Sequence, residues 1–198
     1  MMEEEKRNLL YSRDVLDFVT VATEYVTLMD SLFEYSQKKF IGYTLKLLPL
    51  LYMKAQVLPD FEIEEPETLE KFVSEEEWNK VKLQLEQKMG ELDTYKESMG
   101  RFEPNEENSL SENFADIYQD IKDFTSLYST SVDELMHDAV AEAKRTFRDY
   151  WGQRLVNLLR IMHYYYHNEK LSDELGSEVD NNTENWITEQ RKDEWGIE

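Results

Sequence analysis

Apolar residues recur every three or four positions in five stretches of this 198-residue chain, and each stretch opens on a serine able to cap a helix. The first follows Ser12, with apolar positions at Val15, Phe18/Val19, Ala22, Tyr25/Val26, Met29 and Leu32/Phe33. The second follows Ser36 through Phe40/Ile41, Thr44, Leu47/Leu48, Leu51, Ala55 and Leu58, with Tyr35 and Phe40 spaced as a hydrophobic staple. Pro49 lies inside it and is expected to kink or split the helix, because its ring removes a hydrogen bond and crowds the preceding turn. Ser74 and Glu77 form a capping box for the third, which lines up Trp78, Val81, Leu85, Met89 and Leu92. The fourth opens at Ser109/Glu112 or Ser111 and is expected to bury Leu110, Phe114, Ile117/Tyr118, Ile121, Phe124 and Tyr128. Its opposite face carries Asp116, Asp120 and Asp123 and reads as the wet one.

The fifth stretch, Ser131–Lys170, starts with Ser131 and Glu134 as a capping pair. Its seam is Val132, Leu135/Met136, Ala139, Ala143, Phe147, Trp151, Leu155, Leu158/Leu159, Met162 and Tyr165. From Trp151 to Tyr166 it is apolar nearly all round, the pattern of a helix surrounded by its own protein. Forty residues at 1.5 Å each would span ~60 Å, so Gly152 is expected to mark a bend or a close backbone approach. Residues 59–73 and 93–109 read as connections, the former with a short extended piece at Phe61–Ile63. These patterns predict an all-α fold: one bundle of five main helices over residues 1–170, a long central C-terminal helix, and little or no β structure. Residues 171–198 read as a separate acidic tail whose Trp186 and Trp195 are anchors, docking either onto the chain's own bundle or, as partner-binding candidates, onto another chain.

Charge changes the picture through its placement. The net charge is −21, of which residues 59–114 hold −11 and residues 171–198 hold −7, whereas 131–170 are balanced. No cysteine is present, which excludes disulfides, thiolate metal sites and thiol catalysis. The first residues, Met1–Arg7, show no apolar core or small-residue cleavage site, and the longest apolar run, Leu45–Met53, falls short of the ~20 residues of a membrane span. A cytoplasmic protein is expected by elimination, with no membrane association. No basic run suited to a phosphate backbone occurs, so direct nucleic-acid binding is not expected.

Candidate chemistry is sparse. Glu134 and His137 match the Glu-x-x-His spacing of di-iron bundles, but neither His163 nor His167 has a glutamate three residues before it, so a helix start is the simpler reading. His163 and His167, four apart on one helix face, are weak metal candidates, with Tyr164 where a hydrolytic motif would place its glutamate. Arg154 and Arg160 lie in the apolar stretch, and at least one is expected to be held by a carboxylate or by helix carbonyls. A ligand pocket lined by Trp151, Arg154, Arg160, His163 and Tyr118 is the alternative role for these cations. No Gly-rich phosphate loop or nucleophile motif appears, and no cofactor is implied.

The blocks Leu-Pro-Leu-Leu-Tyr-Met-Lys-Ala (48–55), Phe-Ala-Asp-Ile-Tyr-Gln-Asp-Ile-Lys-Asp-Phe (114–124) and Tyr-Trp-Gly-Gln-Arg-Leu-Val-Asn-Leu-Leu-Arg-Ile-Met-His (150–163) resemble a bacterial family catalogued as domain of unknown function 5063. The opening 11–25 fits it too, and the resemblance covers most of residues 11–165. It implies a small all-helical cytosolic protein and carries over no activity, cofactor or catalytic residue. The expectation is a non-enzymatic interaction or regulatory module with a protein partner, or a self-associating one, using the acidic segments 59–114 and 171–198. The alternative is a bundle that binds a small anionic ligand or a metal, and acts as an enzyme.

Overall fold

The computed structural model describes residues 2–63, 69–97 and 106–175. Helices α1 (Met2–Leu10), α2 (Arg13–Asp30), α3 (Gln37–Gln56), α4 (Glu75–Met89), α5 (Leu110–Ser129), α6 (Asp133–Thr146) and α7 (Gly152–Asn168) pack around one core. A π-helical turn, Phe147–Trp151, joins α6 to α7, so the long fifth stretch is helical throughout. The chain is thus an all-α bundle of five main helices, preceded by the short α1. The serine caps explain four of the starts. Ser12, Ser36, Ser74 and Ser109 accept from the backbone N–H three residues on, in Val15, Lys39, Glu77 and Glu112.

The fifth start differs from expectation. Ser131 adopts the left-handed conformation, with φ 58°, in the turn between α5 and α6. Its own N–H donates back to the Tyr128 carbonyl, and Val132 is the N-cap, without a side-chain cap. Pro49 does not split its helix: α3 runs unbroken from Gln37 to Gln56, with Pro49 on its exposed side, where a carbonyl left without a donor can be hydrated. The connection 93–109 contains a small antiparallel hairpin, β1 (Thr94–Glu97) with β2 (Glu106–Ser109), paired from Thr94↔Ser109 to Glu97↔Glu106. Asp93 fixes its base to α5, accepting from Ser111 N–H at 2.8 Å and from the Ser109 and Ser111 hydroxyls.

The helix covered on most sides is α5, which contacts α2, α4, α6 and α7. Its buried residues include Phe114, Ile117, Tyr118, Ile121 and Phe124, and also Asp123, at 4% exposure. Phe40 packs on Phe114 and Phe18 on Phe124, with ring centroids 5.4 and 4.9 Å apart. Each large apolar side chain buried in this way contributes about 1.5–3 kcal/mol. The aspartate face of α5 is therefore not the wet face expected, because every carboxylate on it meets a neighbouring element. Asp116 accepts from Trp78, Tyr150 and Arg154, and Asp123 accepts the backbone N–H groups of Phe72 and Val73 at 2.7 and 3.1 Å. Asp120 lines a small cavity between α5, α6 and residues 69–71.

Asp123 ties the connection before α4 to the core. Its replacement by alanine leaves two backbone donors short of a partner, and an expected loss of about 2–4 kcal/mol follows. Urea denaturation of Asp123→Ala reads it directly. A loss below about 1 kcal/mol would assign the anchoring of residues 69–73 to apolar packing instead.

α7 is buried on one side only. Leu155, Leu158, Ile161 and Met162 face the core, while Val156, Arg160, His163, Tyr164, Tyr166 and His167 are exposed. The all-round apolar pattern from Trp151 to Tyr166 misled because tyrosine and valine also populate solvent-facing positions.

Candidate functional site

The π turn exists because of Gly152. Its N–H donates to the Phe147 carbonyl five residues back, and a Cβ on residue 152 would lie 2.4 Å from that oxygen. Only glycine allows so close an approach. The extra residue in the turn buries Phe147 and Trp151 together, rings 4.7 Å apart, and leaves Arg148 outside. Trp151 Nε1 donates to Thr146 Oγ1 at 3.1 Å. Turns of this kind recur at functional sites.

Beside the turn lies a cleft of about 330 Å³, within the range of ligand pockets. Tyr52 and Gln56 of α3 form one wall and Phe147, Arg148 and Val156 the other, with Lys144 and Asp60 at its rim. Tyr52 meets Phe147 edge-on at 5.1 Å. The cations are already engaged: Lys144 pairs with Asp60 at 2.6 Å and donates to the Leu58 carbonyl, and Arg148 pairs with Asp149. The cleft's lining is mixed, with Tyr52, Phe147 and Val156 beside Gln56 and Gln153.

Beside this cleft α3 and α7 pack against one another, antiparallel. Gly42 lies against Tyr166 at one end, where a Cβ on residue 42 would stand 3.4 Å from the tyrosine ring, and Gln56 faces Gly152 and Gln153 at the other. Neither helix contains a single Asp or Glu. α3 brings Lys38, Lys39, Lys46 and Lys54, and α7 brings Arg154, Arg160, His163 and His167. Lys38 and Lys54 pair with Asp173 and Asp17, and Arg154 turns inward, whereas Lys39, Lys46 and Arg160 are exposed. Seven of the sixteen exposed large apolar residues among those described lie on these two helices or at the C-cap of α3: Tyr43, Leu50, Met53, Val57, Val156, Tyr164 and Tyr166. A basic, aromatic-bearing surface in a chain of net charge −21 is the most distinctive chemical feature of the fold.

The five residues expected to line a central pocket do not converge. Tyr118 is buried, its hydroxyl within 2.7 Å of Asp30 and 2.8 Å of Glu77, and burial with these carboxylates pushes its ionisation far above the ordinary phenol range. Trp151 fills the core at the π turn. Arg154 donates to Asp116 at 2.9 Å and stacks on the Tyr150 ring at 3.7 Å. Burial, with the Asp116 hydrogen bond second, raises the Tyr150 hydroxyl to about 12. Arg160 and His163 are on the outer surface. The bundle interior is occupied by side chains where the pocket was expected, so the cations split between an inward ion pair and the outer face.

The metal candidates His163 and His167 stay together on the outer surface. His163 and His167 are neighbours, ring centroids 4.6 Å apart and exposed, and no cluster of three or more His, Asp or Glu able to hold a metal occurs among the described residues. His137 is buried, bonded to Asp138 at 3.1 Å and stacked on Phe61, so it takes no part in a Glu134 pair. Trp186 and Trp195 lie outside the described residues.

A second cluster escaped the sequence reading. Asp120 is held up at about 6, first by burial and then by the carboxylates of Asp123, Glu142 and Asp116, against the opposing pull of Lys71. Glu142 is itself clamped by Arg145 through two hydrogen bonds of 2.7 and 2.8 Å. These partners lie up to 49 residues from Asp120 along the chain, which no local pattern shows.

No helix among the described residues is long and apolar enough to cross a membrane. Among curated proteins none matches the chain. A crystal structure of the protein BF1032 from Bacteroides fragilis is similar, with a TM-score of 0.74 and 35% identity over 82% of this chain and 98% of that one. The profile of the family described as a domain of unknown function, DUF5063, matches residues 10–168, the bundle from the end of α1 to the end of α7. The chain belongs to the DUF5063 family.

Proposed function

We propose that this protein is a non-enzymatic cytoplasmic binding module whose α3–α7 face takes an acidic, aromatic-bearing peptide segment of a protein partner. The observation that carries this reading is the charge segregation: the two helices free of Asp and Glu pack side by side in a strongly acidic chain. An acidic segment would meet Lys39, Lys46 and Arg160 while the rest of the surface repels it, which fixes where it lands. The cleft at the π turn would accept an aromatic anchor, since buried aromatic residues supply most of the energy in such contacts.

The acidic stretches are the weaker choice of surface. Several of their carboxylates serve the fold: Glu77 meets Tyr118, Glu112 meets Lys82, and Asp93 caps α5. A nucleic acid also carries anions, but its charge density is opposed by the −21 of the whole chain.

The test is a fluorescence-anisotropy titration of the full chain with a twelve-residue peptide of glutamates around one tryptophan. Binding is expected to weaken about tenfold or more between 50 and 300 mM NaCl, because exposed charges are screened beyond ~8–10 Å. The double variant Lys46→Glu/Arg160→Glu is expected to lose it. Salt-insensitive binding, or an unchanged double variant, would refute the electrostatic face. A short DNA duplex that competes better than the peptide would reassign the surface to nucleic acid.

A further inference from the structure

At the rim of the cleft beside the π turn, a fixed cation is paired with an anion that stands in water. Lys144 of α6 donates to the Leu58 carbonyl and to Asp60 Oδ1, each at 2.6 Å, and its side chain is 26% exposed. The side chain of Asp60 is 93% exposed. An ion pair so open to solvent contributes little, so Asp60 leaves Lys144 at small cost. Arg148 stands in the cleft wall, its charge favoured first by the hydrogen bonds to Asp149 and, more weakly, by Asp60. A carboxylate on Lys144 is therefore within the field of a second cation. The rest of the lining offers ring surface from Tyr52 and Phe147 beside the amides of Gln56 and Gln153. Such a mixed lining fits a group that carries both a ring and a carboxylate. At about 330 Å³ the cleft is at the small end of ligand sites, with room for an anchor residue and its neighbour.

We propose that Asp60 is a built-in stand-in for a partner's carboxylate: an aromatic anchor enters the cleft, and the acidic residue beside it in the partner displaces Asp60 from Lys144. This inference rests on the reading of the α3–α7 face as a surface for an acidic, aromatic-bearing segment, and it adds which acidic residue is recognised individually. Lys39, Lys46 and Arg160 are exposed and attract negative charge wherever it lies along the segment. Lys144 is different in kind. Its bond to the Leu58 carbonyl holds the ammonium in one place, which makes it selective for a carboxylate at one position. The two carboxylates exchange on the ammonium rather than share it, because like charges so close repel. The incoming one arrives with its anchor already seated, at an effective concentration in the millimolar range. It also lies against the cleft wall, where its attraction to Lys144 is screened less than that of the exposed Asp60. Asp60 thus sets a threshold that favours segments with an acidic residue next to the aromatic one.

The test compares two fluorescein-labelled twelve-residue peptides by anisotropy on the full chain in 50 mM NaCl. Both carry one tryptophan among glutamates, and in the second the two residues flanking the tryptophan are glutamines. Asp60→Asn is expected to bind the first peptide about tenfold more tightly than the native chain, by removing the competing carboxylate. The gain is expected to shrink to about twofold or less with the second peptide, and likewise in a Lys144→Gln background. Glu62→Gln removes one exposed negative charge two residues away and is expected to bind as the native chain does. Equal affinity of the native and Asp60→Asn chains for the first peptide would overturn the proposal. So would a gain matched by Glu62→Gln, which would reduce the effect to net charge, or one that persists in full with the second peptide. Binding lost in Lys46→Glu/Arg160→Glu but indifferent to Asp60→Asn would leave the face reading standing and sink the exchange alone. A first peptide that binds neither the native nor the Asp60→Asn chain would sink both.

Discussion

Replacing Gly152 by alanine is expected to lower the thermal midpoint by about 6–12 °C. The added methyl would lie 2.4 Å from the Phe147 carbonyl oxygen and 3.0 Å from two carbons of the Phe147 ring. The first contact is with backbone, which cannot rotate away as a flexible side chain would. Two responses are open to the chain. It can strain the turn, at about 1–3 kcal/mol or more, or it can expel the extra residue and restore α-helical spacing. The second shifts everything on one side of the turn by a residue, pulling Phe147 or Trp151 out of register with Tyr52 and Thr146. Either way the cost is about 3 kcal/mol, and in a chain of this length each kcal/mol moves the midpoint by about 2–4 °C. Differential scanning calorimetry checks it. A midpoint within 2 °C of the native value would mean that the close approach at residue 152 does not constrain the turn.

Asp120→Asn is expected to act in the other direction and to stabilise the protein at pH 8. In the folded chain this carboxyl keeps its proton up to about pH 6, whereas its ordinary value is 3.8. The sign follows from linkage. Between pH 4 and pH 6 the unfolded chain has lost the proton and the folded chain still holds it, so stability falls as pH rises through that window. Above pH 6 the full penalty applies, at most about 3 kcal/mol, because a buried carboxylate must then coexist with Asp116, Asp123 and Glu142. Asparagine keeps the shape and removes the charge. The variant is expected to gain about 1–3 kcal/mol at pH 8, nothing at pH 4, and to flatten the fall in stability between them. Urea midpoints at pH 4, 5, 6, 7 and 8 read the difference. A destabilised variant at pH 8 would show that the pull of Lys71 outweighs burial and the neighbouring carboxylates.

The bundle was legible in the chain because its helices announce themselves locally. Four serine caps place the starts of α2, α3, α4 and α5, and the three-to-four spacing of apolar residues places their ends to within about three residues. Gly152 was legible as a point of bend or close approach, and the structure makes it a close approach. What stayed hidden depends on partners far apart in sequence. The aspartates of α5 read as a solvated face because nothing near them shows Trp78, Phe72 or Arg154, which lie 38 to 51 residues away. Ser131 has the spacing of a cap, yet the turn between two antiparallel helices demands a left-handed residue there, and that geometry outranks the cap. The basic face was concealed by averaging. Residues 1–58 carry a net charge of −1 and residues 131–170 are balanced, so neither total suggests a cationic surface. Resolved helix by helix, α3 and α7 are the acid-free elements, and only the fold reveals that they are neighbours.

The stability of the bundle and the binding at its surface are separable by design of the variants. Gly152, Asp120 and Asp123 are in the packed interior or its polar seams, while Lys46 and Arg160 are exposed and carry no part of the core. Substitution at the latter pair is expected to leave the thermal midpoint within about 2 °C of native, since surface changes away from special features cost within ±0.5 kcal/mol. The titration of the acidic tryptophan peptide against native and Lys46→Glu/Arg160→Glu chains, at 50 and 300 mM NaCl, tests most directly whether the α3–α7 face is the binding surface. The account predicts saturable binding by the native chain at low salt, weakened about tenfold at the higher salt and absent from the double variant. Equal binding by both chains at both salt concentrations would contradict it.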